Sequence, residues 1–231
     1  MAVFRIPQPD QRTTIIGKTG SGKTQAGAFL LAHMSFDQMP WVIFDFKREK
    51  LFMEIEPREL SLETERDWAK LNQPGLFIVR PRPDQEAQVE TLLWHIWDKE
   101  YCGVYVDEGS MFEKSKPYEA LLTQGRSKNI PVITLTQRPV WITKFAFSEA
   151  DYLQIFRLNT EMDRKTVGSY IDSDVRDVVN KRLPDFYSYW YDAAQGKVVV
   201  LRPVPDRQWI VATLRARLAM LQQSQRAKSF V

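Results

Sequence analysis

The run Gly17-Lys18-Thr19-Gly20-Ser21-Gly22-Lys23-Thr24 constrains this chain more than any other feature of its sequence. A β-branched stretch, Thr13-Thr14-Ile15-Ile16, precedes it, and residues 25–34 follow with helix-forming, mostly apolar side chains. Strand, glycine loop and helix in that order curl the backbone so that its N–H groups converge on phosphate oxygens at the mouth of a helix. Gly17, Gly20 and Gly22 permit the curl, Lys23 is placed to neutralise β- and γ-phosphates, and the Thr24 hydroxyl is placed to bind Mg²⁺. The whole loop, including Lys18, Thr19 and Ser21, is expected to hold ATP, and the fold around it is expected to be α/β.

The rest of the chain continues that alternation. Trp41-Val42-Ile43-Phe44-Asp45, Leu76-Phe77-Ile78-Val79, Gly103-Val104-Tyr105-Val106 and Pro131-Val132-Ile133-Thr134-Leu135 read as buried strands bounded by proline or glycine. Helical spacing of Val89, Leu92, Leu93, Ile96 and Trp97, behind an Asp84 N-cap, predicts a helix between the second and third of them. Another is expected around residues 118–122. Further on, residues 152–158 predict a strand, 163–170 a helix, and 186–191 with 197–201 a hairpin turning at Gln195-Gly196. The tail, 209–223, carries Ile210, Val211, Leu214, Leu218 and Leu221 on one helical face, for docking on its own domain or a neighbouring subunit. A mostly parallel sheet with helices on both faces is the expected architecture. Residues 1–231 are expected to form one domain, with a motif-bearing core at 13–170 and a hairpin-and-helix extension at 171–231.

Composition removes several alternatives. With 44% hydrophobic and 12% aromatic residues the chain is neither disordered nor fibrous. The apolar runs at 26–32 and 198–201 fall far short of the roughly 18 residues a bilayer requires. Met1-Ala2-Val3-Phe4-Arg5 does not open a signal peptide, so a cytoplasmic protein is expected. A lone Cys102 beside an apolar strand reads as a buried thiol, and two histidines, His33 and His95, give little material for a metal cluster or triad. A net charge of +3 requires any nucleic-acid surface to be local.

The strand ending in Val106 delivers two carboxylates, Asp107 and Glu108. Opposite a phosphate loop, Asp107 would hold Mg²⁺ through water and Glu108 would polarise the attacking water, which points to hydrolysis rather than binding alone. Gln137, at the end of the next strand, is placed to hydrogen-bond the γ-phosphate and that water, before Pro139 turns the chain away.

Thr136-Gln137-Arg138-Pro139 resembles the sensor motif of the FtsK/HerA superfamily of DNA-pumping ATPases. Gly125-Arg126, Ile155-Phe156-Arg157-Leu158 with Asp163-Arg164-Lys165-Thr166, and Asp45-Phe46-Lys47 are similar to further motifs of that superfamily, in the same order, with Phe46 where proline is usual. The resemblance covers roughly residues 13–170 and implies a RecA-like P-loop NTPase fold of the additional-strand, catalytic-glutamate type. Without the accessory modules of cell-division or repair translocases, the chain looks like the genome-packaging ATPases of tailless, internal-membrane icosahedral phages and related archaeal viruses. That implies a homo-oligomeric ring, pentamer or hexamer, and partners in double-stranded DNA and capsid vertex proteins. It also implies a location in host cytoplasm and then at the packaging vertex. Arg126 is the candidate trans-acting finger, with Arg157 and Arg138 as alternatives. Lys47, Arg48 and Lys50 form one basic loop, and Lys114 and Lys116 form another beside Met111, Phe112 and Tyr118; Lys114, Lys116, Lys47 and Arg48 are the candidates for gripping DNA phosphates. The Arg80-Pro81-Arg82-Pro83 patch is open between DNA, a neighbouring subunit and solvent. A small-molecule kinase, a nucleotide-stabilised scaffold and a conjugation or phage-extrusion motor are the rival readings.

Overall fold

The structure is a computed structural model that describes residues 4–228, so Met1–Val3 and Ser229–Val231, at the two ends of the expected domain, lie outside the described residues. Among the described residues nine strands form one sheet: β1 (Arg12–Ile16), β2 (Pro40–Phe44), β3 (Arg58–Glu59), β4 (Gly75–Val79), β5 (Gly103–Val106), β6 (Val132–Thr136), β7 (Tyr152–Ile155), β8 (Ser188–Asp192) and β9 (Lys197–Leu201). Their spatial order is β3-β4-β2-β5-β6-β1-β7-β8-β9. The first seven run parallel, while β8 and β9 add an antiparallel hairpin.

Continuous apolar runs dominate the central strands because both faces are covered. Ile15, Ile43, Tyr105 and Leu135 point into one core layer, under α1 (Lys23–Leu31), α2 (Lys50–Ile55) and α8 (Arg207–Lys228). Their neighbours Ile16, Val42, Phe44, Val104 and Val106 point into the opposite layer, with buried residues of α3 (Glu86–Lys99), α4 (Lys116–Gln124), α5 (Phe145–Ser148) and α6 (Glu161–Gly168). The remaining helix, α7, spans Ser173–Val179.

Local differences from the sequence expectations have physical causes. Asp84 does not cap α3; its carboxylate faces Arg82, and the helix begins after Gln85, whose side-chain oxygen accepts from the Arg82 amide. The strand expected to reach Leu158 stops at Ile155, where the chain turns to lie beside the glycine loop. Lys50, read as part of a basic loop, instead opens α2, which buries Leu51, Phe52 and Ile55. The tail helix docks on its own domain: Ile210 and Leu214 are fully buried, and Arg217 reaches the Ala32 carbonyl and Asp37. Each such apolar side chain contributes about 1.5–3 kcal/mol on burial. No helix among the described residues is long and apolar enough to cross a membrane.

Candidate nucleotide-binding site

The sheet order builds the site. Strands β2, β5, β6 and β1 are consecutive neighbours, so their C-terminal ends stand in a row spaced about 4.8 Å apart. Those ends carry Asp45 to Lys47, Asp107 with Glu108, Gln137, and the glycine loop. Residues as far apart in sequence as Thr19 and Gln137, 118 positions, thus meet at one edge.

After Ile16 the loop is tied on both sides, Gly17 N–H to the Thr136 carbonyl at 3.3 Å and Lys18 N–H to the Arg157 carbonyl at 3.2 Å. Gly20 and Gly22 have φ of +73° and +99°, a region other residues enter only under strain. Helix α1 starts immediately after Gly22 with no side chain capping it, so its first N–H groups and its positive dipole end face the cleft. The cleft has a volume of 590 Å³, and Thr19, Lys23, Thr24, Lys47, Gln137 and Phe186 are among its walls. Lys23 is buried, donating to the Lys18 carbonyl at 2.9 Å. Desolvation, with Lys47 nearby, brings its ammonium down to about 8. A polyphosphate relieves both penalties at once.

Asp107 is 1% exposed and neither carboxylate oxygen has a hydrogen-bond partner. Burial, with Glu49, Asp45 and Glu108 adding to it against Lys47, pushes this carboxyl up to about 7. An orphaned buried carboxylate beside the Thr24-bearing end of α1 fits a hydrated Mg²⁺, which takes few protein ligands and draws the rest from water and phosphate. The described residues hold no cluster of three acidic, histidine or cysteine ligands.

Glu108 is held from three sides. Ser110 donates to its Oε1 at 2.9 Å, Thr136 to the same atom at 3.3 Å, and Lys47 Nζ lies 2.7 Å from Oε2. Lys47, read from sequence as a DNA-facing cation, is therefore turned inward onto Glu108. Its loop is fixed by Asp45, whose carboxylate accepts from the Glu49 amide at 2.9 Å and from Arg80 at 3.3 Å. Gln137 is joined to the loop itself, its Oε1 accepting from Thr19 Oγ1 at 2.6 Å.

Of the other candidates, only Arg48 brings its side chain to this cleft among the described residues. Arg126 pairs with Asp151, which also accepts from the Arg12 amide, so it sits where β1 begins and the glycine loop follows where β1 ends. Five residues of strand, about 15 Å, separate them. Arg138 lies over the Trp141 ring, and the Arg157 side chain lines a separate basic pocket with Arg164 and Arg182. Lys114 is exposed, and Lys116 is exposed but pairs with Glu119. The aromatics read beside them are committed to the core: Phe112 and Tyr118 are buried, tilted against each other, and Phe112 meets Phe44 and Phe46 edge-on. Arg80 and Arg82 are matched by Asp45, Glu59, Glu63 and Asp84, which neutralises that patch. Arg48, also exposed, lines the cleft. Ser110 and Phe186 carried no motif signal, because their roles depend on which strand ends are adjacent.

No family model matches the chain. It is 39% identical over 218 residues to the DNA packaging ATPase P9 of Enterobacteria phage PRD1, covering 90% of this chain and 94% of that protein. The genome packaging NTPase B204 of Sulfolobus turreted icosahedral virus 2, in complex with sulfate, superposes with a TM-score of 0.72 at 16% identity, covering 86% of this chain and 99% of that one. The same NTPase also matches in its complex with ATP-gammaS, with a TM-score of 0.67. VirB4 of Thermoanaerobacter pseudethanolicus superposes with a TM-score of 0.62 at 10% identity, covering 84% of this chain and 89% of that one. On the 39% identity that runs over nine-tenths of its length, the chain belongs to the family of the PRD1 DNA packaging ATPase P9.

Proposed function

We propose that ATP hydrolysis in this chain drives double-stranded DNA into a preformed viral capsid. The chain is a DNA packaging ATPase by family, and ATP is its nucleotide. The observation that carries the mechanistic reading is the position of Glu108, held by Ser110 and Thr136 one strand away from Gln137 and two from the phosphate loop.

In this reading the amide groups from Gly20 to Thr24 and the Lys23 ammonium hold the β- and γ-phosphates. Thr24 and Asp107 would hold Mg²⁺, which when bound neutralises charge on the phosphate oxygens. Water attacks the γ-phosphorus in line with the bond to the ADP oxygen, which breaks; the proton of the water passes to the Glu108 carboxylate. For that carboxylate to face water, Lys47 leaves Oε2 and turns to the γ-phosphate. Gln137, released from Thr19, then bridges the γ-phosphate and the water. Loss of phosphate reverses both exchanges, so the strand ends sense the nucleotide state.

Arg126 supports an oligomeric ring. A finger that completes a neighbour's site has to project from a face away from its own, and Arg126 stands at the opposite end of β1. Lys114 and Lys116, in the segment that follows Glu108, are placed to move phosphates of the DNA backbone as that segment responds to hydrolysis. Capsid vertex proteins are the docking partners, and a pentameric or hexameric ring is the assembly.

Steady-state ATPase rates with and without double-stranded DNA, at several protein concentrations, test this reading. Stimulation by DNA and a rate per subunit that climbs with concentration are expected. A DNA-indifferent rate, constant per subunit, would overturn the motor reading in favour of a kinase or scaffold.

A further inference from the structure

Beyond the α1 side of the phosphate cleft lies a second cavity of 240 Å³. Gly22, Gln25 and Phe186 line both, so the two adjoin. Their chemistry differs. Lysines and arginines line the first, whereas Phe156, Phe186, Pro203 and Val204 give the second an apolar wall, with Gln154 and Ser188 as its buried polar groups and the exposed Arg202 and Asp206 also lining it. Gln154 is 3% exposed, and its amide donates to Ser188 Oγ at 3.0 Å, which anchors the side chain.

Two rings converge on the loop. A Cβ added to Gly22 would stand 3.3 Å from Phe186 Cδ1 and 3.7 Å from Phe156 Cε1. Phe156 is buried, but Phe186 is 55% exposed, and its backbone has φ of +65°. A bulky residue in that conformation, with an aromatic face left to water, is the kind of local strain that persists where a ligand uses it. The direction of the nucleotide follows from the phosphates: the γ end faces Glu108 and Gln137, and Gln25, the first residue after Thr24, borders the other end. A nucleoside leaving the cleft on that side enters the second cavity.

We propose that this cavity is the base subsite, in which the Phe186 ring stacks on the face of a purine and Gln154 meets its edge. The inference rests on the phosphate-site reading above. It gives the segments at 184–188 and 202–206 a part in nucleotide recognition that the phosphate motif does not encode, and it makes the residues of the C-terminal extension sense whether a nucleotide, and not phosphate alone, is present.

Calorimetric titration of the full chain with ATP, GTP and inorganic tripolyphosphate tests it, using Phe186→Ala, Phe186→Trp, Gln154→Leu and Lys23→Met. Phe186→Ala is expected to weaken ATP about 5- to 150-fold, the range of base–aromatic stacking, while leaving tripolyphosphate unchanged. Phe186→Trp is expected to keep ATP affinity, and Gln154→Leu to narrow the difference between ATP and GTP. If Phe186→Ala leaves ATP binding intact, or weakens ATP and tripolyphosphate equally, the base subsite is wrong. If instead Lys23→Met binds both ligands normally, the phosphate-site reading itself is wrong, and the subsite falls with it. Phe186 is exposed and held at positive φ, so its removal does not threaten the fold.

Discussion

Replacing Glu108 with glutamine takes one charge from the site and almost no volume, and the contacts around it determine how the loss divides between catalysis and stability. The amide keeps an oxygen for Ser110 and Thr136, at 2.9 and 3.3 Å in the native protein. What it loses is the pair with Lys47 at 2.7 Å, with an NH₂ group now opposing the ammonium. Because the Lys47 side chain is 30% exposed, it can swing into water, so the pair contributes about 1 kcal/mol and its loss lowers the melting temperature by about 2–4 °C in a domain of this size. Removing a general base costs far more, about 10²- to 10⁴-fold in rate or roughly 3–5 kcal/mol of barrier. ATP affinity should hold, since Lys23 and the loop amides are untouched. The assay is a phosphate-release rate alongside ATP titration and thermal unfolding of the same preparation. A variant that hydrolyses at the native rate, or one whose rate loss is matched by lost ATP binding, would refute the assignment of Glu108 as the base.

Two further perturbations separate the parts of the site. Lys23→Met is expected to abolish ATP binding yet stabilise the nucleotide-free protein by roughly 1–3 kcal/mol, because burial and Lys47 disfavour the native ammonium. The sign sets its pH window: with the folded group brought down to about 8 from 10.5, the gain is complete below about pH 8 and fades as pH rises toward 10.5, read by thermal unfolding across that range. Arg126→Ala and Glu108→Gln are each expected to be inactive alone, but an equal mixture should regain ATPase activity at roughly one quarter of the subunit interfaces, where an intact Glu108 meets a neighbour's intact Arg126. A mixture as inactive as its components would show that Arg126 does not act across an interface; being 54% exposed, its side chain can be removed without opening the core.

The fold was legible where local chemistry and burial agree. Unbroken apolar strands such as Trp41 to Phe44 and Leu76 to Val79 need both faces covered, and the alternation of strands with helices then leaves few topologies. Short elements were not legible. The edge strand at Arg58–Glu59 has two residues and only one neighbour, and α2 follows a charged stretch whose solubilising look hides the buried Leu51, Phe52 and Ile55. Lys47 illustrates the limit best. Lysine next to arginine in a loop reads as a solvated or DNA-facing cation, and only the adjacency of β2 and β5 turns it onto Glu108.

The phosphate end of the site is written in the chain and the base end is not, for a physical reason. Phosphates are recognised largely by backbone N–H groups, and a backbone that must curl at φ of +73° and +99° demands glycine at fixed spacing, so geometry becomes a motif. A purine face asks only for an aromatic or apolar surface, and many residue types at many positions satisfy it. Phe186 reaches the loop because β8 pairs antiparallel with β7, next to the strand that carries the loop, and brings the residue preceding Tyr187 and Ser188 back to Gly22. The extension at 171–231 is therefore not an appendage to a complete motor core: its hairpin closes the sheet edge, and its first turn supplies a wall of the nucleotide site. A truncation at residue 170 would remove Phe186, Pro203 and Val204 together with α8, and with them both the packing on α1 and the surface on which a base can rest.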